Sequence, residues 1–254
     1  SDGCICGLPW LWSGVVRGMS TDALLRPAAA VVTGFEPPAV SGPAVLLGGR
    51  RLQLLPEHAV WDAAAGTVLV SDLHLGKEAA FRAAAIPVPD QTAGTLSRLS
   101  QLLAWTGAGR LVILGDLLHA RRGRCEQMIR QVVEWREQHS ELSIELVRGN
   151  HDAAAGDPPG EWRMSCVSEP FVSDGLQLCH DPERCIGAGL AGHLHPVVRL
   201  RGPGRDSLRL PCFLLRREVL ILPAFSRFVD GRVLQPGPAD RVFAVSEQSV
   251  ISMK

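Results

Sequence analysis

Three short apolar runs in this chain each stop on a polar cluster, and that repetition restricts the fold more than any other feature. Residues 67–71 run into Asp72-Leu73-His74-Leu75-Gly76, residues 110–114 into Gly115-Asp116, and residues 144–147 into Gly149-Asn150. Short β-branched and aliphatic runs bounded in this way read as buried strands. Between them lie helical patterns: Leu96, Leu99, Leu102 and Leu103 share one face, and Met128, Ile129, Val132 and Val133 share another. Strands alternating with helices predict a βαβ core, with binding crevices beyond the carboxyl ends of the strands. After Phe171 the texture changes. Residues 176–179, 197–200, 208–215, 219–222 and 241–245 read as short strands with turns between them, which predicts a second sheet.

A length of 254 residues allows one large domain with a substantial core. The Pro/Gly-rich stretch 37–49 sets off a partly disordered extension over residues 1–40 from a single domain over 41–254. The first methionine, Met19, opens a more ordinary sequence than the residues before it. The apolar stretch 7–18 is too short to span a bilayer, and Asp2 stands where a signal peptide carries positive charge. Seven scattered cysteines, an odd number, read as free thiols in a reducing compartment, so the chain is expected in the cytoplasm with no membrane partner. The 26 basic and 26 acidic side chains cancel, leaving no overall positive field for nucleic acid; any contact with a phosphate backbone must be local.

Of eight histidines, six fall in short clusters: His74, His119, His151, His180, His193 and His195, with His58 and His139 outside them. One imidazole at a strand end is ordinarily a hydrogen-bonded structural group; this many together point to metal binding. Asp72 and His74, two apart beyond a strand, can turn into one pocket by strand alternation, as can His193 and His195. Asp116 offers a carboxylate able to bridge two cations, Asn150 a neutral amide oxygen, and His180 a further ring nitrogen. Mixed carboxylate, imidazole and amide ligation suits Mn, Fe, Co or Zn. Cys179 beside His180 could be a soft ligand, but alternation along a strand points it the other way, into the core.

The ordered set Asp-x-His, Gly-Asp, Gly-Asn-His-Asp, a lone His and Gly-His-x-His resembles the calcineurin-like metallophosphoesterase superfamily. The resemblance implies a four-layer α/β/β/α sandwich and two divalent metal ions, manganese first and zinc or iron as alternatives. One ion would be held by Asp72, His74, Asp116 and His195, the other by Asp116, Asn150, His180 and His193. His151 would be the histidine that protonates the leaving group, and a bridging water would supply hydroxide as nucleophile. The stretches DLHLGKEAAFRAAAIPVP, GDLLHARRGR and LPCFLL followed by LPAF are similar to the ligase-associated DNA damage response phosphoesterases or endonucleases. That likeness implies DNA as substrate and, as partners, an ATP-dependent DNA ligase, a processing exonuclease and a helicase.

One position departs from the phosphatase branch of that superfamily, which carries Asp three residues after the bridging Asp where this chain has His119. A carboxylate relay to His151 is therefore in doubt, and His119 is either a supporting residue or a substrate contact. Asp152 could orient His151 or simply bond its own backbone. Lys77 could reach phosphate or stay solvated, and Ser71 reads as structural. Arg121, Arg122 and Arg124 follow the Asp116 motif, either as a clamp on a DNA backbone or as a solvated surface run. A small-molecule or nucleotide phosphodiesterase is the alternative function. A non-catalytic scaffold is disfavoured because all seven ligand positions are filled.

Overall fold

The computed structural model describes residues 42–83, 85–204 and 206–253; the extension expected over residues 1–40 lies outside the described residues. The first sheet has seven strands in chain order: β1 (Ala44–Leu47), β2 (Arg50–Leu55), β3 (Ala59–Asp62), β4 (Thr67–Val70), β5 (Arg110–Leu114), β6 (Ser143–Val147) and β7 (Ser165–Val167). β1 to β4 form an antiparallel meander, whereas β4 to β7 run parallel. The parallel pairs need crossovers, supplied by α1 (Lys77–Ala83), α2 (Thr92–Thr106), α3 (Glu126–Gln138) and α4 (Asn150–Ala155). The meander begins inside the stretch 37–49, because Ala44–Leu47 alternates well enough to pair with Arg50–Leu55 around Gly48 and Gly49, both at positive φ.

The second sheet has nine strands: β8 (Phe171–Ser173), β9 (Leu176–Leu178), β10 (Gly189–Ala191), β11 (Pro196–Arg201), β12 (Ser207–Arg216), β13 (Val219–Ile221), β14 (Arg232–Val233), β15 (Arg241–Val245) and β16 (Val250–Ser252). Its main path runs β14-β11-β12-β13-β10-β9-β8, with β15 joining β12 to β16. Period-2 alternation decides which side chains meet. Val68 and Val70 face the helices, where Leu96, Leu99, Leu102, Met128, Val132 and Trp135 cover them. Leu69, Val112, Leu114 and Val147 face inward onto Leu178, Leu190, Phe213, Leu220 and Phe243 of the second sheet. Two stacked sheets with helical cover form the α/β sandwich that the alternating pattern predicts. No α-helix follows Ala155 among the described residues, and a smaller cluster of Cys212, Leu214, Ile221 and Val242 lies apart from these two cores, on the opposite pleat of β12 and β15.

The α3 face is set by Met128, Val132 and Trp135 rather than by all four residues of the expected stripe; Ile129 and Val133 are only partly buried. Arg136 lies in the last turn of this helix. Its guanidinium is buried and donates to Trp162 O (2.9 Å), His139 O (2.8 Å) and Leu142 O (3.2 Å). Arg136→Met keeps the aliphatic volume but leaves three carbonyls without their donor, and is expected to lower the unfolding free energy by about 3 kcal/mol. Urea denaturation of the two proteins measures this, and a loss below about 0.5 kcal/mol would contradict the role given to the guanidinium.

Candidate metal centre

All three of the parallel-strand ends named by the sequence open on one pocket. Segment 71–75 runs beside segment 115–119: Asp72 N donates to Gly115 O (3.1 Å), His74 N to Asp116 O (2.9 Å) and Leu75 N to Leu117 O (2.8 Å). Strand alternation does not bring Asp72 and His74 together, because β4 has already ended at Val70. The backbone instead turns left-handed at Asp72 (φ 56°), His74 (φ 49°), Asp116 (φ 53°), His193 (φ 69°) and His195 (φ 44°). Glycine ahead of two of the polar residues leaves room for this crowding. A Cβ at Gly115 would sit 2.2 Å from the His180 ring, and one at Gly149 would sit 2.3 Å from Asp116 Oδ1.

Second partners fix which ring nitrogen points into the pocket. His180 Nδ1 donates to Leu114 O (3.0 Å), so Nε2 presents its lone pair to Asn150 Oδ1 (3.0 Å) and Asp116 Oδ2 (3.4 Å), with His193 Nδ1 also 3.0 Å away. His195 Nδ1 donates to Asp230 O (3.3 Å), so Nε2 faces Asp72 Oδ1 (3.2 Å) and His74 Nε2 (3.4 Å). Asp72 Oδ2 is tied down by His193 N (3.0 Å), while Asp72 Oδ1 is buried with no hydrogen-bond partner among the described residues. Acceptors that face acceptors at such distances repel unless positive charge lies between them. Asp72, His74 and His195 form one group able to hold a cation, and Asp72, Asp116 and His180 form another.

Charge in the pocket follows from burial and neighbours. Burial pushes the His74 imidazole down to about 3 and His119 down to about 4, so both rings are neutral lone-pair donors near pH 7. Burial raises the Asp116 carboxyl despite His180 beside it. Burial also works against the His195 imidazolium, but the Asp72 carboxylate outweighs it and lifts that ring above its ordinary range. The positive charge that this pair demands is that of a proton or of a metal ion.

His151 sits at the rim, partly exposed. Its Nδ1 donates to His119 O (2.7 Å), its backbone N donates to Asp116 Oδ1 (2.9 Å), and its Nε2 lies 4.0 Å from Asp116 Oδ2. Among the described residues no carboxylate hydrogen-bonds the ring; the His119 carbonyl orients it, and the His119 imidazole stacks on it with centroids 5.1 Å apart and planes 21° apart. His119 also groups with His74 and His151 as a third set of clustered ring nitrogens. Among the described residues the Asp152 carboxylate makes no hydrogen bond to the His151 ring. It is buried and accepts from Leu118 N (3.0 Å) and Gly149 N (3.0 Å), joining the Asp116 loop to the start of α4.

Cys179 is buried with its Sγ 2.7 Å from Cys185 Sγ, and that contact holds the Cys179 thiol protonated, which disfavours it as a ligand. Ser71 is buried and donates to Pro223 O (3.4 Å). Lys77 is not simply solvated, since its Nζ lies 5.7 Å over the Phe228 ring and burial lowers its ammonium. Arg124 is not free to clamp a substrate, because Nη1 donates to Ala155 O (3.0 Å), Gly156 O (3.3 Å) and Asp157 O (3.0 Å), capping α4. Arg121 and Arg122, in the 3₁₀ turn Arg121–Gly123, stay exposed. Glu169, which sequence reasoning passed over, receives His180 N (2.7 Å) and Asp181 N (2.9 Å) and so fixes the His180 backbone.

No family model and no curated protein matches the chain. Among solved structures it is similar to the nuclease MPE of Pseudomonas putida, at 39% identity and a TM-score of 0.72, over 83% of this chain and 99% of that one. The chain belongs to the family of that nuclease. Within this nuclease family the lone-pair convergence around Asp72, Asp116 and His180 is a centre that could hold metal ions. No helix among the described residues is long and apolar enough to cross a membrane.

Proposed function

We propose that this chain is a metal-dependent phosphoesterase that hydrolyses phosphodiester bonds of DNA, with a two-metal centre of the calcineurin-like metallophosphoesterase kind. The observation that carries this reading is the convergence of ring nitrogens and carboxylate oxygens on one buried pocket with His151 at its rim. Asp72, His74, Asp116 and His195 would hold one ion, and Asp116, Asn150, His180 and His193 the other. The oxygen and imidazole donors fit manganese, with zinc and iron as alternatives. Bound there, divalent cations supply Lewis acidity to phosphoryl oxygens and lower the pKa of water.

The chain's own groups do the rest. The His119 carbonyl fixes the proton on His151 Nδ1, so Nε2 is the atom that carries a proton to the departing alkoxide. The His119 ring, stacked on His151, supports that orientation. Ser71, buried and donating to Pro223 O, is not a nucleophile. Work in DNA repair, in the cytoplasm beside a ligase, an exonuclease and a helicase, is the setting that the sequence resemblance supports.

Chelation is expected to abolish hydrolysis and manganese to restore it, with metal content measured on the same samples. Full activity in metal-free protein would refute the reading. Parallel assays on DNA, RNA and simple diesters separate a DNA enzyme from a small-molecule phosphodiesterase. Arg121 and Arg122 supply local positive charge near the rim of a chain whose net charge is zero. Replacing both with alanine is expected to weaken DNA cleavage and to flatten its salt dependence, by about one unit of slope for each phosphate no longer neutralised, while leaving a small chromogenic diester unaffected. Arg124 is left in place in that variant, since its loss would disturb α4. Unchanged cleavage of DNA would remove these two residues from the substrate path.

A further inference from the structure

One cavity adjoins the metal centre without being part of it. It holds about 490 Å³, within the range of small-ligand sites. His195 is the shared wall: its Nε2 faces Asp72 and His74, and the residue also lines the cavity. Much of the remaining wall is segment 223–231, which is fastened to the centre at both ends. Phe225 N donates to Ser71 O (2.8 Å) and Ser226 N to Asp72 O (3.2 Å), while Arg232 N donates to His195 O (3.0 Å). The cavity therefore cannot shift without moving the backbone that carries the metal-site side chains. His195 lines the cavity and His151 does not; the His74 ring lies 5.1 Å from the His151 ring and 5.3 Å from the His195 ring.

The walls combine flat apolar surface with three polar side chains that have no side-chain partner for the groups they offer among the described residues: the His58 ring at Nε2, Arg227 and, at the edge, the Glu247 carboxylate. Pro211, Pro223, Ala224 and Val229 supply the apolar part. His58 Nδ1 donates to Ala224 O (2.7 Å), which leaves Nε2 as a lone-pair acceptor with no hydrogen-bond partner among the described residues. Burial pushes this imidazole down to about 4, so it stays neutral at physiological pH. Arg227 is exposed and has no carboxylate partner among the described residues, in contrast to Arg209, which Asp230 and Gly231 O hold (3.1 and 2.8 Å). A nucleobase has flat faces and, whichever base it is, at least one N–H donor on its pairing edge, and its neighbouring phosphate suits a free guanidinium.

We propose that this cavity binds the nucleoside on the non-leaving side of the scissile phosphate, with His58 Nε2 accepting from the base and Arg227 facing the next phosphate. This rests on the phosphodiesterase reading above. It makes the enzyme demand a base at that position while remaining tolerant of which base it is.

The test compares two diesters that share a leaving group: thymidine 5′-(p-nitrophenyl phosphate) and methyl p-nitrophenyl phosphate, with the manganese-loaded full chain. The nucleotide is expected to show a KM about tenfold lower than the methyl diester. His58→Asn, which tolerates the positive φ of 66° at this position, and Arg227→Ala should each raise the nucleotide KM about fivefold and leave the methyl diester unchanged. Calorimetric titration with deoxyadenosine monophosphate and with inorganic phosphate gives a readout apart from turnover. The nucleotide should bind about tenfold more tightly than phosphate, and His58→Asn should shrink that ratio. Equal KM values for the two diesters, or equal binding of nucleotide and phosphate, overturn the subsite while the phosphodiesterase reading stands. No hydrolysis of either diester and no binding of either ligand overturns both.

Discussion

Replacing Asp116 with alanine is expected to strip both metal ions from the protein and to lower hydrolysis by about 1,000-fold or more, because each loss of 1.36 kcal/mol in transition-state stabilisation is a factor of ten. The expectation follows from where the carboxylate lies. Oδ2 is 3.4 Å from His180 Nε2 and 3.9 Å from His74 Nε2, so a single group stands between the two halves of the pocket. Oδ1 receives His151 N (2.9 Å), so the same side chain also seats the start of α4. Asp116→Asn separates the two roles, since an amide oxygen can still accept from His151 N but brings no negative charge. Elemental analysis should find both variants metal-poor, with the asparagine form closer to native in thermal unfolding. Two equivalents of metal retained in Asp116→Ala would end the shared-ligand assignment.

His151→Ala is expected to keep its metal and to lose about 100- to 10,000-fold in rate on substrates with poor leaving groups. On p-nitrophenyl esters the loss should be far smaller, because a stable phenolate needs little protonation. The contrast with His119→Ala is informative. What orients His151 is the backbone carbonyl of residue 119, which alanine retains, so that variant should lose only the stacking and fall much less far. Metal content and rates on paired substrates decide the matter. Depletion of metal in His151→Ala, or equal losses for good and poor leaving groups, would show that His151 does something other than carry a proton.

The parts of this fold that sequence made legible are those set by local periodicity. The β4, β5 and β6 runs and the leucine face of α2 lie close to where alternation and helical spacing put them. The small strands β7, β8, β10, β14 and β16, two or three residues each, carry too few residues for any period to register; partners distant in sequence pair them. In the pocket, residue types and spacing pointed to Asp72, His74, Asp116, Asn150, His180, His193 and His195. The means of gathering them was misread, since alternation along a strand was expected and left-handed turns are found. Arg124 was equally opaque, because a guanidinium that caps α4 is the same letter as one that faces solvent. Glu169 and His58 had no local signal at all. Their partners, His180 N and Ala224 O, are brought to them only by the tertiary fold.

The left-handed backbone at five pocket residues bears on how such a protein evolves. For residues with a Cβ this conformation costs of order 1 kcal/mol each, and glycine alone occupies it freely. The conformation that crowds the Asp and His side chains together is therefore a standing burden on stability, and selection for the chemistry is what maintains it. Glycine in place of His74 or His193 should yield a chain that binds metal poorly yet melts higher than the metal-free parent. A relative released from its reaction would drift in that direction, so glycine at either position marks a lineage in which the fold has outlived its centre.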